Sequence, residues 1–332
     1  MKVFISSVSA LALAGCSSMF STAPHPSHEV FKIEQSYAQN LHQSTKGLAI
    51  SYTETCGTDE AALKKAWGDV AHSWMMLQAQ QRGPEEAIAQ SWNMQYWPDK
   101  KNTTGRKMRA LLAESTSWTS SDISNQSVAV QGIGAIEWLL YDEESQAIKN
   151  NEKCALGAAI SGNLVTTSEQ IQQAWQDNPW TSLDEEAWHK EYLALMTNQL
   201  DYALSKMKRP LAKIGQPRAH FAEAWRSETS YENLEYNIRS LEKLYFAKGQ
   251  GLDAILRNQG HVALADDIKQ QFSDVLEAWP SNRSLFETIQ TKEGYRDALN
   301  NYNRLNHLRY KLSEESAIKL GIILGFNSTD GD

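Results

Sequence analysis

The stretch TDEAALKKAWGDVAHSWMML, residues 58–77, places Ala62, Leu63, Ala66, Trp67, Val70, Trp74 and Leu77 at steps of three and four. That spacing puts the apolar side chains on one face of a helix, with Thr58 just ahead of it as the N-cap. The same period returns in Leu193, Met196, Leu200, Ala203, Leu204 and Met207, and again in Leu234, Ile238, Leu241 and Tyr245. Ser182-x-x-Glu185 and Ser284-x-x-Glu287 have the form of capping boxes opening two further helices. No run alternates as a half-buried strand would. The prolines at 24, 26, 84, 98, 179, 210, 217 and 280 fall between the periodic segments, where proline does least harm. The fold class is therefore all-α.

About 315 residues would remain after loss of an N-terminal signal, more than one core usually supports, so two helical-bundle domains are expected. A polar stretch rich in Ser, Thr and Gln runs from Ser161 to Gln176 and is followed by Asn178-Pro179-Trp180. The expected division is an N-terminal helical domain over 28–165, a linker over 166–181, and a C-terminal up-and-down four-helix bundle with its tail over 182–332.

The first residues set the compartment. Lys2 is a short basic region, Val3 to Leu13 an apolar one, and Leu13-Ala14-Gly15-Cys16 reads as a lipobox. Residues 1–15 are then a lipoprotein signal peptide, too short for a span of about 20 apolar residues, and Cys16 is the acylation site that anchors the chain in a lipid bilayer. Ser17 after the cysteine is similar to signals that sort to the outer membrane, facing the periplasm. Residues 16–27, with Pro24 and Pro26, read as a flexible tether, and His25 and His28 as solvated parts of it. In an oxidising compartment the remaining pair, Cys56 and Cys154, is a disulfide candidate, the alternative being two buried thiols. The net charge is −8, and no block of five or six like charges occurs. Nucleic acid and anionic headgroups are poor partners for such a chain.

A second stretch carries the chemistry. In QGIGAIEWLLYDEES, residues 131–145, Glu137 sits among Ile133, Ala135, Ile136, Trp138, Leu139 and Leu140. A carboxylate in apolar surroundings must be protonated, paired or bound, because an unpaired buried charge is too expensive to keep. The bland reading is a helix crossing with Glu137 hydrogen-bonded to a core Arg or Trp, and the sharper one a binding site. Gly134 lowers helix stability by about 0.5–1 kcal/mol relative to Ala, which makes sense where something packs against it. Candidate partners are Lys101 and Arg106 in the loop after Trp97-Pro98, where Trp97 would form a wall, and Arg226. An ordinary solvated turn explains that loop equally well, and Arg226 can simply pair with Glu223 at i,i+3 on one helix.

Several motifs together resemble the imelysin family. Its Gly-x-His-x-x-Glu signature is matched by Gly132, Gly134 and Glu137, with glycine in place of the histidine. Also similar are Trp67, the run Tyr96 to Arg106, Ala222-Glu223-Ala224-Trp225-Arg226-Ser227, and the tail from Leu324 to Asp332. The resemblance implies a two-domain helical periplasmic or surface protein, often lipid-anchored and often associated with iron acquisition. Some members carry a metallopeptidase label. With Gly134 in the motif, one carboxylate remains on that helix, thin support for zinc, which usually takes three protein ligands.

The leading reading is a binding protein serving iron uptake, which holds a small ligand or an envelope protein partner in a cleft between two bundles. Its expected site is Glu137, Gly132, Gly134, Trp97, Lys101, Arg106, Arg226 and, in the tail, Asn327. Asp330 is a further tail candidate. A cofactor would be iron or another divalent metal, with Glu137 as a ligand. The alternatives are a metallopeptidase-type hydrolase and a non-catalytic envelope scaffold. His220-x-x-Glu223 also has helical metal-ligand spacing, but no His-Glu-x-x-His occurs. The tail fails the calcium-loop spacing. Most of the eleven tryptophans sit on apolar faces as core.

Overall fold

A computed structural model describes residues 24–114 and 117–323, so the signal segment, Cys16, Asn327 and Asp330 lie outside the described residues. Ten helices carry the fold: α1 (His28–Glu54), α2 (Glu60–Leu77), α3 (Thr103–Glu114), α4 (Ile133–Tyr141), α5 (Asn150–Ala174), α6 (Glu185–Leu211), α7 (Ser230–Phe246), α8 (Leu252–Asn258), α9 (Val262–Glu277) and α10 (Lys292–Tyr310). Shorter helical turns occupy the connections. The described residues contain no strand, only one isolated bridge between Lys213 and Gln216.

Helix α2 buries Leu63, Trp67, Val70, Trp74 and Leu77, the stripe its spacing dictates. Its cap is Asp59 rather than Thr58: the Asp59 carboxylate accepts the Ala62 amide at 2.9 Å, and the Thr58 hydroxyl turns back to the Thr55 carbonyl. A negative cap suits the positive end of the helix dipole. Helices α1, α2 and α5 pack together, and α7 lies against α2. Cys56 and Cys154 form a disulfide that ties the α1–α2 connection to the start of α5. In the second half α6 touches α7, α7 touches α9, α9 touches α10 and α10 returns to α6, a closed ring of four. One set of buried apolar side chains runs from Val30 to Ile322 through both halves.

Four local expectations need correction. The polar stretch at 166–174 is the end of α5, not a linker. Its Ser168 hydroxyl donates to the Val165 carbonyl at 2.9 Å and meets Thr45 across the helix pair, so these small polar residues are buried and satisfied. The segment that does follow α5 is held by a ladder of buried tryptophans, Trp175 to Trp180 at 5.5 Å and Trp180 to Trp188 at 5.1 Å. Ser182 does not cap α6; Asp184 does, accepting from Ala187. Pro210 lies inside the last turn of α6, where it removes a single helical bond, and its carbonyl accepts the Arg218 amide at 2.8 Å. Finally, the end of the supposed tether is docked. His25 bonds the Leu183 carbonyl at 2.8 Å, and Ser27, wholly buried, accepts from Asn178 at 2.8 Å.

Candidate functional site

Helix α4 begins where the chain is most crowded. A side chain on Gly132, its N-cap, would bring a Cβ to 2.3 Å from the Met94 carbonyl oxygen, so only glycine lets the two backbones touch. From that start, Glu137 is carried into the interior at 5% exposure, surrounded by the apolar residues of its own helix. Its answer is two backbone amides and a hydroxyl, with no side-chain cation bonded to it among the described residues. Oε1 accepts from the Arg226 amide at 3.1 Å, the Ser227 amide at 2.9 Å and the Ser227 hydroxyl at 3.0 Å. Burial pushes the Glu137 carboxyl above the ordinary range, while the Arg226 charge and these hydrogen bonds pull the other way.

The segment that supplies those donors is not the helix its composition promised. Between the turn at Ala219–Phe221 and the start of α7 the chain is irregular, with Ala224 and Glu228 both left-handed at φ 49° and 63°. For non-glycine residues that conformation costs about 1–2 kcal/mol each. The strain aims two consecutive N–H groups at one carboxylate. It also separates Glu223 from Arg226, which therefore do not pair as i,i+3 neighbours, and it removes the helical face on which His220 and Glu223 would have shared a metal.

Arg226 instead clamps three elements. Its Nε donates to Asp142 Oδ2 at 2.5 Å, its Nη2 to Asn102 Oδ1 at 2.7 Å, and its guanidinium lies 4.3 Å from the Trp225 ring. The structure thus brings Glu137 and Arg226 together and adds Asp142, Asn102 and Ser227. Lys101 and Arg106 are exposed, and Arg106 reaches only the Thr103 hydroxyl at 3.4 Å. Trp97 is buried behind a cis bond to Pro98 and packs on α6, against Tyr202 at 5.5 Å and beneath Arg209 at 5.6 Å. Among the described residues nothing beyond its own helix backbone packs on Gly134: a Cβ there would meet no other atom within 4 Å, and the position is part-exposed. The expected contact is open space, one turn from Glu137 on the same face.

A second polar cluster escaped the sequence reading. Lys206 on α6 and Glu223 are each 1% exposed and pair at 2.5 Å. Lys206 also donates to Asn237 at 2.7 Å and Gln78 at 3.0 Å, and Gln78 donates to Glu223 at 2.6 Å. Burial lowers the Lys206 pKa, and Glu223 opposes that. A third buried group, Glu34 on α1, accepts from Gln80, and burial pushes its carboxyl up to about 8. Both were visible as charges on apolar stripes: Lys206 lies three after Ala203, and Glu34 three after Phe31 and four before Ala38.

The family model of imelysin matches residues 33–312. The chain belongs to the imelysin family. The imelysin-like protein of Psychrobacter arcticum 273-4 shares the fold at TM-score 0.74 and 18% identity, over 92% of this chain and 99% of the other. A putative iron-regulated protein A precursor from Parabacteroides distasonis ATCC 8503 matches at TM-score 0.60 and 14% identity, over 88% of this chain and 97% of the other. No curated protein matches. Among the described residues no helix is long and apolar enough to cross a membrane.

Imelysin resemblance raised the question of a metal, and this chain's residues do not suit one. Three hydrogen-bond donors already surround the Glu137 oxygen, an arrangement made for a negative charge rather than a cation. Asp142 is occupied by Arg226 at 2.5 Å. Among the described residues no three or more His, Cys, Asp or Glu side chains are grouped to hold a metal ion.

Proposed function

We propose that this member of the imelysin family is a lipid-anchored envelope binding protein linked to iron acquisition, and that it receives a small ligand or protein partner beside Glu137. One observation carries the reading: a buried carboxylate, held by strained backbone, lies one helical turn from a part-exposed gap at Gly134. Among the described residues Oε1 takes all three hydrogen bonds given to this carboxyl, which leaves Oε2 for a guest bearing a donor. Sites that pair a few fixed polar groups with apolar surroundings suit small ligands. The iron link draws on the relative named as iron-regulated. The lipid anchor draws on Leu13-Ala14-Gly15-Cys16.

Growth of a deletion strain in iron-limited medium tests the reading. Wild type should restore growth, whereas Glu137→Gln, expressed to the same level, should not. Cys16→Ala should lose incorporated fatty acid and restore growth only weakly. Full rescue by Glu137→Gln would make the carboxylate purely structural and end the binding-site reading.

A further inference from the structure

We propose that the face formed by residues 100–109 and 206–218 is a docking surface for an acidic segment of a partner protein. The first support is charge distribution. The chain holds 40 acidic and 32 basic residues, yet residues 100–113 carry five Lys or Arg and no Asp or Glu, and residues 202–222 do the same. The two stretches are a hundred residues apart, and the fold joins them. Trp97, three residues ahead of the first, packs on Tyr202 at 5.5 Å and lies beneath Arg209 of the second at 5.6 Å.

Two of these cations are neutralised, Arg109 by Glu144 and Lys206 by Glu223. The others are exposed and have no ion-pair partner among the described residues. Local acids do not answer them. Asp99 is turned to the Thr103 and Thr104 amides at 2.6 and 2.8 Å, and Asp142 is held by Arg226, leaving the exposed Glu143 and Glu228 at the edge. Clustered cations of this kind steer an acidic partner and set its salt dependence.

The second support is an apolar anchor in their midst. Ile214 is 84% exposed at the tip of a turn closed by the Lys213–Gln216 bridge, with Arg218 on the far side. An aliphatic tip ringed by charge is the core-and-rim pattern of a protein interface. Position favours protein over lipid. His25 and Ser27 hold the first described residues at the Leu183 end of α6, and Ile214 follows the other end, about 40 Å away along a helix of 27 residues. The described chain therefore begins at the opposite end of α6 from this face.

The test is fluorescence anisotropy of a labelled peptide of alternating Glu and Leu with the full chain at low and high salt. Binding should weaken at least tenfold in the combined variant Lys101→Glu, Arg106→Glu, Lys213→Glu, Arg218→Glu, and a few-fold in Ile214→Ser. A charge-matched variant reversing the exposed Lys46, Lys269, Lys292 and Lys319 should bind as wild type. All three keep their helical circular dichroism, since every change is at an exposed position. No peptide binding, or equal loss in the two reversed variants, overturns the proposal. So does preferential binding to phosphatidylglycerol vesicles that the first variant abolishes, which would assign the face to lipid.

Discussion

Replacing Glu34 by Gln should flatten the pH dependence of folding. Glu34 is wholly buried, Gln80 donates to it, and the Gln199 amide lies near enough to pull in the same direction, yet burial outweighs both and sets its pKa at about 8 against an ordinary 4.5. The folded chain therefore keeps a proton that the unfolded chain has lost across that interval. Stability from this group is complete below pH 4.5 and is lost as pH rises through 8, at about 1.4 kcal/mol per pH unit. Glutamine mimics the protonated form at every pH. Urea unfolding of both proteins from pH 5 to 8 should show wild type falling behind the variant by about 4 kcal/mol in all. His42, His72 and His189, whose pKa values burial lowers, tilt stability the opposite way, but equally in both proteins. A difference that stays constant from pH 5 to 8 would refute the buried, proton-holding carboxyl.

Other outcomes follow from the same geometry. Ser227→Ala removes one of three donors to Glu137 and should cost about 1 kcal/mol in denaturant unfolding. Lys206→Met leaves Glu223 buried without its cation and should cost about 3–5 kcal/mol, whereas the double change Lys206→Met, Glu223→Gln should recover much of that. Reducing Cys56–Cys154, whose partners are 98 residues apart, should lower stability by about 4–5 kcal/mol. Gly132→Ala should abolish or severely weaken folding because its Cβ meets the Met94 carbonyl. Gly134→Ala should stabilise by about 0.5–1 kcal/mol, read from thermal melts.

The sequence made the fold class legible because the helical period in α2, α6 and α7 reports burial directly. The cysteine pairing was legible on other grounds, as two cysteines left in an oxidising compartment. The irregular segment at 222–229 was not. Ala-Glu-Ala-Trp-Arg-Ser has good helix formers, and only distant partners, Glu137 for the Arg226 and Ser227 amides and Lys206 for Glu223, pull the segment out of a helix. The polar end of α5 misled for a related reason. Serines such as Ser161 and Ser168, bonded to their own helix carbonyls, look soluble in sequence and are buried in fact. The basic face was hidden because neither contributing stretch holds a continuous block of like charge, and only the packing of Trp97 on Tyr202 and Arg209 brings them together.

Two glycines separated by one residue stand under opposite constraints. At position 132 even a methyl group collides with another backbone, so the scaffold dictates that residue regardless of what the protein does. At position 134 the scaffold is indifferent, and a donor, an acceptor or nothing fits beside the same carboxylate. A lineage with this fold can therefore add or discard chemistry beside that carboxylate by one codon change, without renegotiating the architecture that displays it.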